Sequence, residues 1–286
     1  MDNHPPLTLL VCLAHPDDET FGMGGTLALY AQRGVHVHLV CGTRGDVGDV
    51  DSDLMQGFNS VAERRESELR CAAGILGLTG VYFLGYRDSG MPGSPDNQHP
   101  NALAAQPVDE VAAKVVHYIR SLEPQIVVTH DPIGGYKHPD HIAMHRATVR
   151  AFELAADPNF SSDLPPFRPQ KLYFQTMPKG LIRWAVRVAP LLRMDPHHFG
   201  RNRDIDLASL VEEGDFPTHA HINCRSVSGI RDEATACHIS QGGGVIGRKN
   251  PLSLLRRYFG STESFMRAYP VPENGLRERD LFDGIR

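Results

Sequence analysis

LTLLVCLAHPDDETFGMGGTLALYAQRGVHVHLVC, residues 7–41, decides the fold. Leu7–Ala14 is an almost unbroken apolar run of strand length, the pattern of a strand covered on both faces. A helical stretch through Thr26–Arg33 follows, then a second strand-like run, Val35–Cys41, whose His36 and His38 alternate onto its more polar face. Strands separated by a crossover helix are expected to lie parallel in one sheet. The alternation continues downstream. Val61–Leu76 predicts a helix, with apolar Leu69, Ala72, Ala73 and Leu76 among charged residues, and Val81–Leu84 predicts a short strand. Val108–Leu122 predicts a helix, Gln125–Thr129 a strand and His141–Ala155 a helix. The expected fold class is α/β: a Rossmann-like, doubly wound, mostly parallel sheet with helices on both faces.

Past residue 156 the pattern loosens. Pro158–Pro169 is rich in Pro, Ser and Asp and reads as a connecting loop, and Lys171–Thr176 as another strand. Leu181–Met194 carries arginines among apolar residues around Trp184, which reads as a packed helix with arginines lying along the surface. A lid or membrane-surface helix is the alternative there. Ile230–Ile239 looks helical and ends in His238-Ile239-Ser240-Gln241. The expectation is a single domain over 1–286: a core of about 1–155, a variable substrate-side region of about 156–226 and a smaller C-terminal elaboration of about 227–286.

With 286 residues, 41% hydrophobic and 22% charged, the chain is large enough to bury a core. Its net charge of −5 gives no electrostatic footprint for nucleic acid or an anionic membrane. The first residues lack a basic n-region, so no secretory signal is expected. No apolar run approaches the roughly 20 residues of a membrane span. Cys12, Cys41, Cys71, Cys224 and Cys237 are odd in number and lack CxxC spacing. Three sit in apolar periodic segments, where buried free thiols are expected, and a cytoplasmic location fits.

The chemistry concentrates at two strand ends. Ala14-His15-Pro16-Asp17-Asp18-Glu19 follows the first strand, and the carboxyl ends of parallel strands border the binding crevice. One imidazole and one carboxylate from a tight turn, completed by a remote histidine, suit zinc with a position left for water. His15 and Asp18 converge around the proline-stiffened turn, leaving Asp17 to take a proton from the nucleophile. A helix-capping acidic loop is the plainer reading of the same residues. The second cluster, Thr129-His130-Asp131-Pro132-Ile133-Gly134-Gly135-Tyr136-Lys137-His138-Pro139-Asp140-His141, also follows a strand and enters a helix. His138 and His141 are three apart and face the crevice, and Asp140 is placed to orient one of them. Two His/Asp clusters at two strand ends point to a metal site.

Together, His15-Pro16-Asp17-Asp18-Glu19 and Gly134-Gly135-Tyr136-Lys137-His138-Pro139-Asp140-His141 resemble the LmbE-like (PIG-L) family of zinc N-deacetylases. The resemblance is strongest to the branch acting on N-acetylglucosaminyl-inositol in mycothiol synthesis. Arg65-Glu66-Ser67-Glu68-Leu69, Tyr86-Arg87-Asp88-Ser89-Gly90-Met91 and His238-Ile239-Ser240-Gln241 support it. It covers about 1–155 well and the remainder in patches. The resemblance implies zinc (Zn2+), with other divalent metals left open, held by His15, Asp18 and His141, with Asp17 as general base. His138 would stabilise the oxyanion or protonate the leaving amine, Asp140 would tune it, and Tyr136 would help polarise the acyl carbonyl. Arg65 and Asp88 would hold sugar hydroxyls or a neighbouring polar group, with Met91 beside the substrate. The implied partner is a small N-acetylated sugar conjugate, with no nucleic acid or membrane and self-association left open.

Thr20 and Phe21-Gly22-Met23-Gly24-Gly25 depart from the Ser-Lys-Gly pattern of thiol-conjugate amidase relatives, which favours sugar deacetylation over conjugate cleavage. A magnesium-dependent phosphate-handling pocket would be built of carboxylates without histidine ligands, and a pure binding module has no use for a free base beside the metal. Gly242-Gly243-Gly244-Val245-Ile246-Gly247 fits GxGxxG but follows a helix, so it reads as a flexible loop. His197-His198 reads as a solvated pair and His145 as a helix-surface residue. HExxH and GxSxG are absent.

Overall fold

The computed structural model describes residues 6–176, 179–189, 195, 206–212, 215–246 and 261–285. Five strands, β1 (Thr8–Leu13), β2 (His36–Thr43), β3 (Gly80–Tyr86), β4 (Ile126–Thr129) and β5 (Lys171–Thr176), run parallel. Two more, β6 (Ala220–Asn223) and β7 (Thr262–Tyr269), join the same sheet antiparallel, giving the order β3-β2-β1-β4-β5-β7-β6. The helices are α1 (Asp18–Gln32), α2 (Val61–Leu76), α3 (Val108–Leu122), α4 (Gly134–Lys137) and α5 (Pro139–Leu154). α6 (Gly180–Val188), α7 (Leu207–Glu212), α8 (Ser228–Cys237) and α9 (Gly243–Ile246) follow. The α/β, mostly parallel class read from the sequence holds, and the segment after 156 supplies a fifth parallel strand and an antiparallel edge.

The pleat explains why β1 is apolar on both sides. Leu9, Val11 and Leu13 pack with α1, α2 and the C-terminal segment, whereas Leu10, Cys12 and Ala14 pack with α3 and α5. Strand order reverses beside β1, since the chain winds to β2 and β3 on one side and to β4 and β5 on the other. Ligands of open parallel sheets bind at the carboxyl ends around such a switch point. His15 lies just past the end of β1 and His130 just past β4.

α2 and α3 keep the bounds read from periodicity. For α2 the punctuation is local: the Ser60 side chain accepts the Glu63 N–H, and Gly77 ends the helix at φ 79°. α1 begins earlier than Thr26. Its backbone breaks at Met23 (φ −145°, ψ 21°), and the Glu263 carboxylate of β7 accepts the N–H groups of Gly25 (2.9 Å) and Thr26 (2.7 Å). The segment legible as a helix is therefore the part capped from a remote strand. Trp184 is 62% exposed on α6, so it is not the centre of a packed face. Residues 190–194 of that expected helix and the pair His197-His198 lie outside the described residues. The glycine run turns at Gly242 into α9 instead of forming a loop. His38 is buried against Tyr82, contrary to the polar-face reading. Among the described residues no helix is long and apolar enough to cross a membrane.

The cysteines need one correction. Cys12, Cys41 and Cys224 are buried free thiols, but Cys71 of α2 and Cys237 of α8 form a disulfide across 166 residues. Separation of that length leaves no spacing signal. Closing so long a loop restricts the unfolded chain, so Cys71→Ser with Cys237→Ser is expected to lower stability by about 2–5 kcal/mol. Urea unfolding midpoints of this variant and of the oxidised and reduced parent measure it; equal midpoints would show that the bond is absent in solution or without weight.

Candidate active site

Three side chains with candidate metal-donor atoms meet at the switch point. His15 Nδ1 lies 3.2 Å from His141 Nε2, which lies 3.2 Å from Asp18 Oδ1, and His15 Nδ1 is 3.7 Å from Asp18 Oδ2. Tetrahedral bonds of about 2.1 Å set ligand atoms about 3.4 Å apart. The three side chains thus form a triangle at the spacing of ligands around one metal. The Asp18 carboxylate meets His141 through Oδ1 and His15 through Oδ2, the oxygen that also accepts the His15 backbone N–H at 2.8 Å. Burial opposes ionisation of Asp18, but the imidazoles of His141, His15 and His130 hold its carboxyl well below the usual range. It is an anion ready to bind a cation. The approach of β4's loop to α5 requires glycine: Gly134 has φ 69°, and a Cβ there would lie 2.9 Å from His141 Cβ.

The residues behind the triangle orient it. His15 Nε2 is 3.1 Å from Asp140 Oδ2, which also accepts the Ser89 N–H at 2.9 Å, while Ser89 Oγ donates to Asp140 Oδ1. With the ring proton on Nε2, His15 keeps Nδ1 bare for a metal. Asp140 therefore serves His15 through its side chain and not, as expected from the sequence, the ring of His138. Asp88 Oδ1 stands 3.5 Å from the same His15 nitrogen and accepts the Gly90 N–H. His138 Nδ1 accepts the Asp140 backbone N–H at 3.2 Å as the cap of α5. Burial, then the neighbouring His15 and His141, push its pKa down, so the ring is neutral and its proton sits on Nε2 as a donor.

Asp17 has φ 122°, ψ −28° and makes no side-chain cap bond to α1. A non-glycine residue there costs about 1–3 kcal/mol, a strain found at functional sites. The helix-cap reading of the acidic loop therefore does not describe Asp17. Its Oδ2 accepts from Arg65 Nη2 at 3.2 Å, and the same guanidinium donates to Pro16 O (2.8 Å) and Gly45 O (3.1 Å). Burial lifts the Asp17 carboxyl to about 6, with Arg65 pulling it down. Arg65 is thus spent on a neighbouring carboxylate and the loop, one of the two roles expected of it.

A cavity of about 350 Å³ opens beside the triangle, lined among others by Asp18, Phe21, His130, Tyr136, His141 and Gln175. Such a volume suits a small ligand. Tyr136 packs edge-on to His138 and His141, and burial keeps its phenol protonated. Arg65, Asp88 and Met91 are not on that lining. The Met91 carbonyl accepts from Asn97 Nδ2. Sequence reading left three buried residues without a role. His130 stacks on His141 at 4.0 Å and accepts the Ala14 N–H. Glu19 and His238 form a buried pair at 2.7 Å. Only the strand-end position of His130 hinted at its place. His145 instead engages the His130 carbonyl, one step behind the site.

The family profile described as GlcNAc-PI de-N-acetylase, PIG-L, matches residues 10–152, the stretch that carries both clusters. A protein of Streptomyces avermitilis named 1D-myo-inositol 2-acetamido-2-deoxy-alpha-D-glucopyranoside deacetylase is 42% identical, over 100% of this chain and 99% of its own. The chain belongs to the PIG-L family. A Thermomonospora curvata protein of the same name is 41% identical over 96% of this chain and 93% of its own. Among solved structures of similar fold, a conserved protein of Thermus thermophilus aligns with a TM-score of 0.60 at 25% identity, covering 93% of this chain and 97% of its own. A 4-carboxy-2-hydroxymuconate hydratase of Pseudomonas putida aligns with a TM-score of 0.61 at 20% identity, covering 94% and 99%. The fold thus hosts more than one reaction, and function must be argued from the site.

Proposed function

We propose that the chain is an N-deacetylase that hydrolyses the acetamide of N-acetylglucosaminyl-inositol, using zinc held by His15, Asp18 and His141. The observation that carries this reading is the three-donor triangle beside a strained, uncapped Asp17, in a chain that matches deacetylases of that sugar–inositol along its whole length. Zinc bound there supplies Lewis acidity, making water nucleophilic near neutral pH and polarising the acyl oxygen.

Asp17, its carboxyl held near the working range by burial, takes the proton of the attacking water. It returns that proton to the sugar nitrogen as the bond from that nitrogen to the acyl carbon breaks, releasing acetate and the amine. His138, neutral with its proton on Nε2, donates to the acyl oxygen as charge develops there, with the Tyr136 hydroxyl beside it. Asp140 keeps His15 in the ligating tautomer, and Arg65 keeps Asp17 in place. Asp88 and Met91, on the loop after β3 and off the cavity lining, are kept as sugar-side residues on the family resemblance alone, Asp88 being turned toward His15. A single domain working in the cytoplasm completes this reading, with the Cys71–Cys237 bond as the feature that pulls against a reducing compartment.

An amine-release assay over N-acetylglucosamine, its inositol and malate conjugates and a thiol S-conjugate tests the assignment. Turnover is expected to be greatest on the inositol conjugate and to vanish with chelator. Equal or faster cleavage of the S-conjugate would favour the amidase alternative.

A further inference from the structure

Glu19 is 0% exposed, and its two carboxylate oxygens have separate tasks. Oε2 accepts the backbone N–H of Asp17 at 2.9 Å, and Oε1 meets His238 Nε2 at 2.7 Å. His238 is likewise fully buried, and its other ring nitrogen, Nδ1, has no hydrogen-bond partner among the described residues. Among those residues its imidazole engages one polar group, Glu19. A buried, half-satisfied ring is worse for packing than an aliphatic side chain of its size, so its value lies in that contact.

The consequence is read at Asp17. An aspartate at the N-cap ordinarily turns its carboxylate onto the first free N–H groups of the helix. In that conformation it would be unavailable as a base. Here the carboxylate makes no such bond, the backbone stands at φ 122°, and the peptide N–H is taken by Glu19. We propose that Glu19, backed by His238, is the positioning residue that keeps Asp17 off the helix cap and aimed at the reacting centre. The inference rests on Asp17 being the base. Both anchors of the device are secured elsewhere. Ser240, two residues past His238, donates its N–H (2.9 Å) and hydroxyl (2.6 Å) to Glu68 of α2, and the Cys71–Cys237 bond ties α8 to the same helix. α2 also carries Arg65, so one helix steadies both sides of Asp17.

The test is Glu19→Ala, with Glu19→Gln and His238→Asn beside it. In a crystal structure of metal-loaded Glu19→Ala, Asp17 is expected to fall to negative φ with its carboxylate on the N–H of residue 19 or Thr20. Metal content is expected to match the parent, KM to stay within about twofold and kcat to drop about 10–100-fold. Glu19→Gln retains an oxygen for the Asp17 N–H and is expected to recover most of kcat. In an Asp17→Asn background, Glu19→Ala is expected to add no further loss, whereas a general structural lesion would add its full effect. If Glu19→Ala does not fold, His238→Asn, which leaves Glu19 in place, carries the same readouts. Asp17 unchanged at φ near 122° in Glu19→Ala, or in His238→Asn where that variant stands in for it, would overturn the proposal, as would full additivity with Asp17→Asn. The φ readout needs no substrate. A parent enzyme inactive on the sugar amide would therefore sink the proposed reaction while the positioning is still decided.

Discussion

Asp17→Asn is expected to bind a full complement of metal and to lose turnover by about 10²–10⁴-fold, the span general-base removal produces. The amide keeps the size of the side chain and can still meet Arg65, so the loop and the triangle of His15, Asp18 and His141 should survive. What disappears is the acceptor for the proton of water. The loss should fall on kcat with KM little altered, because a general base acts on the nucleophile and not on the resting sugar. Metal analysis of the purified variant with steady-state kinetics decides it. Parent-like turnover at full metal content would remove Asp17 from the mechanism. The strain at φ 122° gives a second measure: Asp17→Gly, free of the Cβ, is expected to fold at least as stably as the parent while equally inactive.

His141→Ala is expected to lose the metal, and activity with it. His141 Nε2 is 3.2 Å from both His15 Nδ1 and Asp18 Oδ1, so it closes the triangle, and two donors alone hold a divalent ion poorly. His130 stacks on His141 and lies 3.6 Å from Asp18, and the His138 ring stands 5.0 Å from that of His141, so these are the nearby imidazoles able to substitute. Titration of the apo-variant with metal, followed by calorimetry, measures the loss. His130→Ala serves as the control and should bind metal nearly as well as the parent, since its Nε2 is engaged with Ala14. A full metal complement in His141→Ala would mean that a different set of donors holds the ion, with His15 and His138 the next to examine.

Much of this protein is legible along the chain because its decisive signals are local. β1 and β4 are apolar runs bounded by turn residues, β5 has an apolar centre between polar ends, and α2 and α3 are periodic segments with their stops written beside them. His15, Asp17, Asp18, His138, Asp140 and His141 sit in two short motifs at two strand ends, where α/β architecture itself places a crevice. The fold class and the set of candidate donors therefore follow from sequence alone. The tertiary structure decided the pairing of these groups. Asp140 faces His15, 125 residues away, instead of its near neighbour His138. Glu19 reaches His238 across 219 residues, and Cys71 meets Cys237 across 166. Such contacts depend on how α2, α8 and β7 dock around the sheet, which no periodicity encodes. The physical reason is that hydrophobic pattern specifies which face of an element is buried, whereas the partner of a buried polar group is set by whichever remote atom packing brings within about 3 Å.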